Sequence, residues 1–108
     1  MVRPTLIDQI RDKQMQDNEL VMEVQKIMNE EIKENFMITQ HGMLVMKGKI
    51  CVPNLDDLRK VIMKETHCSA YVMHPDSNKM YRTIKENYWW SSMKRDIVEF
   101  VSRCLVYQ

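Results

Sequence analysis

Apolar and polar positions follow two different periods along this chain, and the switches between them divide it. Leu20, Val21, Val24, Ile27 and Met28 fall at i, i+1, i+4, i+7 and i+8, one face of a helix. Asp17 or Asn18 can cap it, and Leu6, Ile7 and Ile10 suggest a shorter helix upstream. Residues 1–35 are rich in charge and contain no glycine, which predicts a solvated connector helix without a site. From 36 to 52 the period shortens: Phe36 and Ile38, then Leu44 and Met46, then Ile50 and Val52, separated by His41-Gly42 and Lys47-Gly48. Alternation broken by glycine turns predicts short strands, a hairpin or a three-stranded meander, and Pro53 closes the segment because it cannot donate to a ladder.

After Pro53 the helical period returns. Leu55, Leu58, Val61 and Ile62 predict a helix capped by Asn54, with Asp56 and Asp57 in its first turn, running to about His67. A loop, CSAYVMHPDS, follows. Asp76 or Ser77 then caps a helix bearing Met80, Tyr81 and Ile84, and Ser91 or Ser92 caps a last one with Met93, Ile97, Phe100, Val101 and Cys104 inward. The expected class is mainly α: a small helical domain over 36–108, preceded by its short β hairpin and by the connector helix of 1–35. No internal repeat is visible.

Composition narrows the function classes. At 108 residues the chain makes at most one small domain, for which a staple would add to a limited core. Sixteen Lys and Arg against 15 Asp and Glu leave a net charge of +1, so any contact with nucleic acid has to be local. Three cysteines are an odd number, and MVRPTLIDQIRDKQ lacks the apolar run of a secretory signal; both favour an intracellular, reducing setting, cytoplasm or nucleus, over secretion. No run of apolar residues is long enough for a membrane span, and no membrane or small-molecule partner is expected.

The candidate chemistry is a metal site. His67 and His74 flank a loop, and Cys104 follows on a distant helix. Imidazole and thiolate are both good zinc ligands, and tying a helix end, a loop and a second helix together is where a structural ion gains most. The C-x-x-C partner of Cys104 is missing: position 107 is Tyr107, whose phenol ionises near pH 10 and carries its oxygen a ring's width farther out. Cys68 is a substitute ligand or simply loop, Cys51 a core residue, and His41 a solvated turn residue. The alternatives are half-buried histidines beside a buried cysteine, or a Cys104–histidine nucleophile pair, for which no oriented acid or oxyanion site is visible. Trp89-Trp90 is expected in the core rather than as a base-stacking platform; Lys79, Arg82, Lys85, Lys94 and Arg95 cluster around it as solvated charge or as a phosphate-contacting surface.

The run KGKICVPN…LRKVIMKETH…HPDSNKMYRTIKENYWWSSMKRDIVEFVSRCLVYQ resembles the His-His-Cys-Cys zinc-binding N-terminal domain of gypsy-type retrotransposon integrases, over about residues 36–108. The resemblance implies zinc ligands at His67, His74, Cys104 and position 107, integrase subunits and element-end DNA as partners, and nucleic-acid contacts through Lys79, Arg82, Lys94 and Arg95. It also implies that residues 1–35 follow the ribonuclease H part of a polyprotein, and that strand transfer belongs to an acidic triad in the next domain, outside this chain. Asp76, Ser91, Ser92 and Tyr107 stand where that family has glycine, a Pro-Gly turn and cysteine. The expectation is therefore a truncated, non-catalytic, degenerate module with weakened zinc binding. The competing expectation is a metal-free helical structural or interaction domain with no remaining integrase role.

Overall fold

The computed structural model describes residues 5–29, 35–68 and 76–106. Among them five helices and four short strands alternate in the order α1 (Leu6–Gln14), α2 (Asn18–Met28), β1 (Phe36–Ile38), β2 (Leu44–Met46), β3 (Lys49–Cys51), α3 (Leu58–Cys68), α4 (Ser77–Ile84), β4 (Tyr88–Trp89) and α5 (Met93–Val106). The class is mainly α, as the periodicity predicts.

Local chemistry sets the helix starts. Thr5 and Asp8 form a reciprocal capping box on α1. Asp17 caps α2 with one carboxylate oxygen, accepting from the N–H groups of Glu19 and Leu20. Its other oxygen accepts the N–H of Asn54 at 2.7 Å. Asp76 caps α4 by accepting from the N–H of Lys79 at 2.8 Å.

The first departure from expectation lies after Pro53. Asp56 and Asp57 both take positive φ, 52° and 56°, a left-handed region that aspartate tolerates better than most residues. Two such residues in succession cannot belong to a helix, so Asn54 is not a cap and α3 starts at Leu58. The Asn54 N–H is instead spent on Asp17, and the Asp56 carboxylate lies 3.1 Å from the Lys13 ammonium.

The sheet differs too. β1, β2 and β3 form the expected antiparallel meander, with Phe36 opposite Met46 and Val45 opposite Ile50. Lys47 and Gly48, at φ 51° and 81°, make the tight turn between β2 and β3, the two left-handed residues that a two-residue hairpin prefers. β4 then adds a fourth strand parallel to β3, pairing Ile50 with Tyr88 and Cys51 with Trp89. The tryptophans thus part company: Trp89 sits half-buried in a strand, whereas Trp90 is buried in the core.

The N-terminal segment is not a solvated connector. Ile10 and Gln14 of α1 are buried, and Ile10 packs into the same cluster as Val52, Ile62, Met80, Trp90 and Ile97. Leu20 and Val24 of α2 pack with Leu44 and Cys51 in a second cluster on the sheet. Gln14 explains the tight seating of α1. By the register of β2 and β3, Leu44 and Cys51 would be the next pair, but their ladder opens there. The Gln14 amide fills the gap, donating to the carbonyls of Leu44 and Cys51 at 3.0 and 2.8 Å and accepting from the Leu44 N–H at 2.8 Å. A side chain thus completes a β-ladder whose buried polar groups would otherwise be unpaired.

Candidate metal and nucleic-acid-binding module

His67 stands in the last turn of α3. It is 6% exposed, and its ring meets Phe100 of α5 edge to face, with centroids 5.8 Å apart. Met63 and His67 are both buried and lie one helical turn apart, so the histidine continues the inward stripe of α3; that spacing is the sequence signal for its burial. Position 104 lies one turn beyond Phe100 on the same helix. The last turn of α3 thus meets the middle of α5, with one imidazole already turned inward. Cys68 and Cys104 have described backbones within these helices, but their side chains, together with His74 and Tyr107, lie outside the described residues. Among the described residues no group of three or more His, Cys, Asp or Glu side chains could hold a metal ion.

The opposite end of α3 is fixed by Arg59. Its Nε donates to the Val52 carbonyl at 3.1 Å, and its guanidinium lies 5.6 Å from the centre of the Trp90 ring. Burial lowers the pKa of Arg59 from its ordinary value, while Asp17, Asp96 and Glu19 push it back up. Trp90 is held from its polar side as well: its indole N–H donates to Asp96 at 3.0 Å, and the Ser92 hydroxyl donates to the same oxygen at 2.8 Å. Sequence reasoning singled out neither Arg59 nor Gln14, since neither carries a period or a motif.

Residues 55–108 match the family model of the integrase zinc-binding domain. The chain belongs to that family. Within this integrase zinc-binding domain, the match begins four residues after β3 and covers α3, α4, β4 and α5. The chain is also similar to curated retrotransposon proteins of Schizosaccharomyces pombe, among them the Transposon Tf2-3 and Transposon Tf2-4 polyproteins. Each is 25% identical over 73 residues, which is 68% of this chain and 6% of the relative. The chain therefore spans a small fraction of the relatives it matches.

The basic residues of this integrase zinc-binding domain occupy the outer faces of two adjacent helices. Lys79 and Arg82 are exposed on α4, opposite the buried Met80 and Ile84, and Lys94 and Arg95 are exposed in the first turn of α5. Lys94 lies 6.0 Å from the centre of the Tyr81 ring and Lys85 lies 5.1 Å from it, so Tyr81 draws ammonium groups from both helices onto one surface. Arg95 is 3.8 Å from Asp96, whereas Lys79, Arg82 and Lys94 have no ion pair among the described residues. No helix among the described residues is long and apolar enough to cross a membrane.

Proposed function

We propose that this chain is a non-catalytic assembly and DNA-end-binding module of a retrotransposon integrase, acting inside the cell. Its zinc site would use His67, His74 and Cys104, with Tyr107 at the weak fourth position and Cys68 as the substitute ligand. The integrase core, which carries out strand transfer, would be a separate domain; integrase subunits and element-end DNA are the partners. The division into a connector, 1–35, and a zinc-binding unit, 36–108, belongs to the same proposal, with the connector docked on the unit through Gln14 rather than free.

One observation carries the zinc reading: within the family-matched segment, the first ligand candidate is buried where the last turn of α3 meets α5, and an ion there would tie the two helices together. The basic surface around Tyr81 supports contact with phosphates, which position a duplex without reading its sequence. A metal-free structural role has its own support, because the main cluster of Ile10, Val52, Ile62, Met80, Trp90 and Ile97 forms without any ligand candidate.

Chelator-competition titration of the parent, Tyr107→Cys and His67→Ala tests the proposal. Weak zinc binding by the parent, much tighter binding by Tyr107→Cys and none by His67→Ala is the expected order, since a restored thiolate completes the tetrahedron. Equal affinities for parent and Tyr107→Cys would remove the fourth-ligand argument. For the DNA role, binding to element-end duplex should weaken steeply with salt and drop when Lys79, Arg82, Lys94 and Arg95 are all changed to alanine.

A further inference from the structure

A cavity of about 40 Å³ lies at the junction of α2, β1 and β4, lined by Glu19, Glu23, Phe36, Arg59, Trp89 and Ser91 among others. It has room for a group the size of a water molecule or an ammonium. Its walls are chemically unusual. Phe36 and Trp89 meet edge to face at 5.5 Å and supply aromatic surface that attracts cations. Glu23 supplies a carboxylate whose Oε2 is fully buried and has no hydrogen-bond partner among the described residues; its other oxygen lies 3.6 Å from the Lys26 ammonium. A buried acceptor left unpaired is costly, and native structures give such groups a donor.

Arg59 does not fill that role. Its Nε is committed to the Val52 carbonyl and its guanidinium to the Trp90 ring, and it makes no ion pair within 4 Å among the described residues. Glu19 and Glu23 leave the lining with more acid than base, and the Ser91 hydroxyl is already turned toward Glu19 at 3.2 Å. An anion would face these carboxylates, and an apolar group would leave the Glu23 oxygen unsatisfied. A small cationic donor answers all three features at once: the orphaned acceptor, the aromatic wall and the negative lining.

We propose that this cavity receives the ammonium head of a lysine side chain from a partner protein. The head donates to Glu23 Oε2 while the last methylenes of the stem pack against the Phe36 and Trp89 rings. None of Lys79, Arg82, Lys94 and Arg95 lines the site, and its occupation needs neither zinc nor DNA.

The test is a nuclear magnetic resonance titration of the full 108-residue chain with Nα-acetyl-lysine methylamide, its norleucine counterpart and putrescine. The lysine amide should shift the Trp89 indole and Ser91 amide signals saturably, and norleucine should leave them in place. E23Q, which puts an NH2 donor where the ammonium must sit, should weaken lysine binding at least fivefold with the rest of the spectrum unchanged. Equal shifts from norleucine, unaltered binding by E23Q, or no lysine-dependent shift would overturn the proposal. Putrescine binding more tightly than the lysine amide would reassign the site to a free amine and overturn the protein-partner assignment. Should E23Q fail to fold, the lysine and norleucine titrations of the parent decide the matter, with E19Q as the second variant.

Discussion

The two ends of α3 are secured by different means. At its N-terminal end, Arg59, Trp90, Asp96 and Ser92 form a chain of directional polar contacts, and Gln14 completes the neighbouring sheet. At its C-terminal end, His67 rests on Phe100 of α5 through an aromatic contact, with Cys68 beside it on α3 and Cys104 on α5. The first end is complete from the chain's own hydrogen-bonding groups. On the proposed zinc reading an added ion would act at the second end, so stability at the first should ignore zinc and stability at the second should follow it.

The largest expected effect breaks the first end. Gln14→Ala strips partners from the Leu44 N–H and from two carbonyls, and should cost about 3 kcal/mol, equally with zinc or with chelator. Urea unfolding in both conditions checks this, and a loss that zinc repairs would merge the two ends into one cooperative site.

Alkaline pH offers a second probe of the sheet. Burial pushes the Cys51 thiol from 9.0 up to about 12, with Glu23 adding to the effect. Because the unfolded thiol loses its proton first, this contribution is intact below about pH 9 and is lost as pH rises toward 12. The urea midpoint should therefore fall more steeply above pH 9 in the parent than in Cys51→Ala, and Cys51 should react with thiol reagents only after unfolding. Asp76→Ala is expected to cost about 1 kcal/mol through loss of the α4 cap. Lys13→Ala, which removes an exposed ion pair to Asp56, should stay within about 0.5 kcal/mol by the same assay.

What could be read from the sequence follows the range of the forces involved. Asp17 and Asp76 were legible as caps because a cap acts within three residues, and the meander was legible because glycine turns punctuate it. β4 was not, since a two-residue strand has no period of its own and exists only because β3 lies open beside it. Asp56 and Asp57 looked like helix-start residues, but the Asn54 N–H and the Asp56 carboxylate are drawn to Asp17 and Lys13 on the far side of the chain. His67 was found as a ligand candidate by its spacing from His74 and Cys104, while its burial against Phe100 required knowing how α3 meets α5. Gln14 was invisible for a plain reason: on a helix of mostly polar residues, one more amide suggests solvent.

Gln14 also bears on the order in which the molecule can assemble. Its bonds span 30 and 37 residues of chain, so neither can form on a ribosome until β2 and then β3 have emerged. Until then α1 has a polar side chain awaiting a distant partner, and closing so long a loop costs entropy before any bond offsets it. The docking of α1 should accordingly be a late folding event, and mutations at Gln14 should speed unfolding far more than they slow refolding.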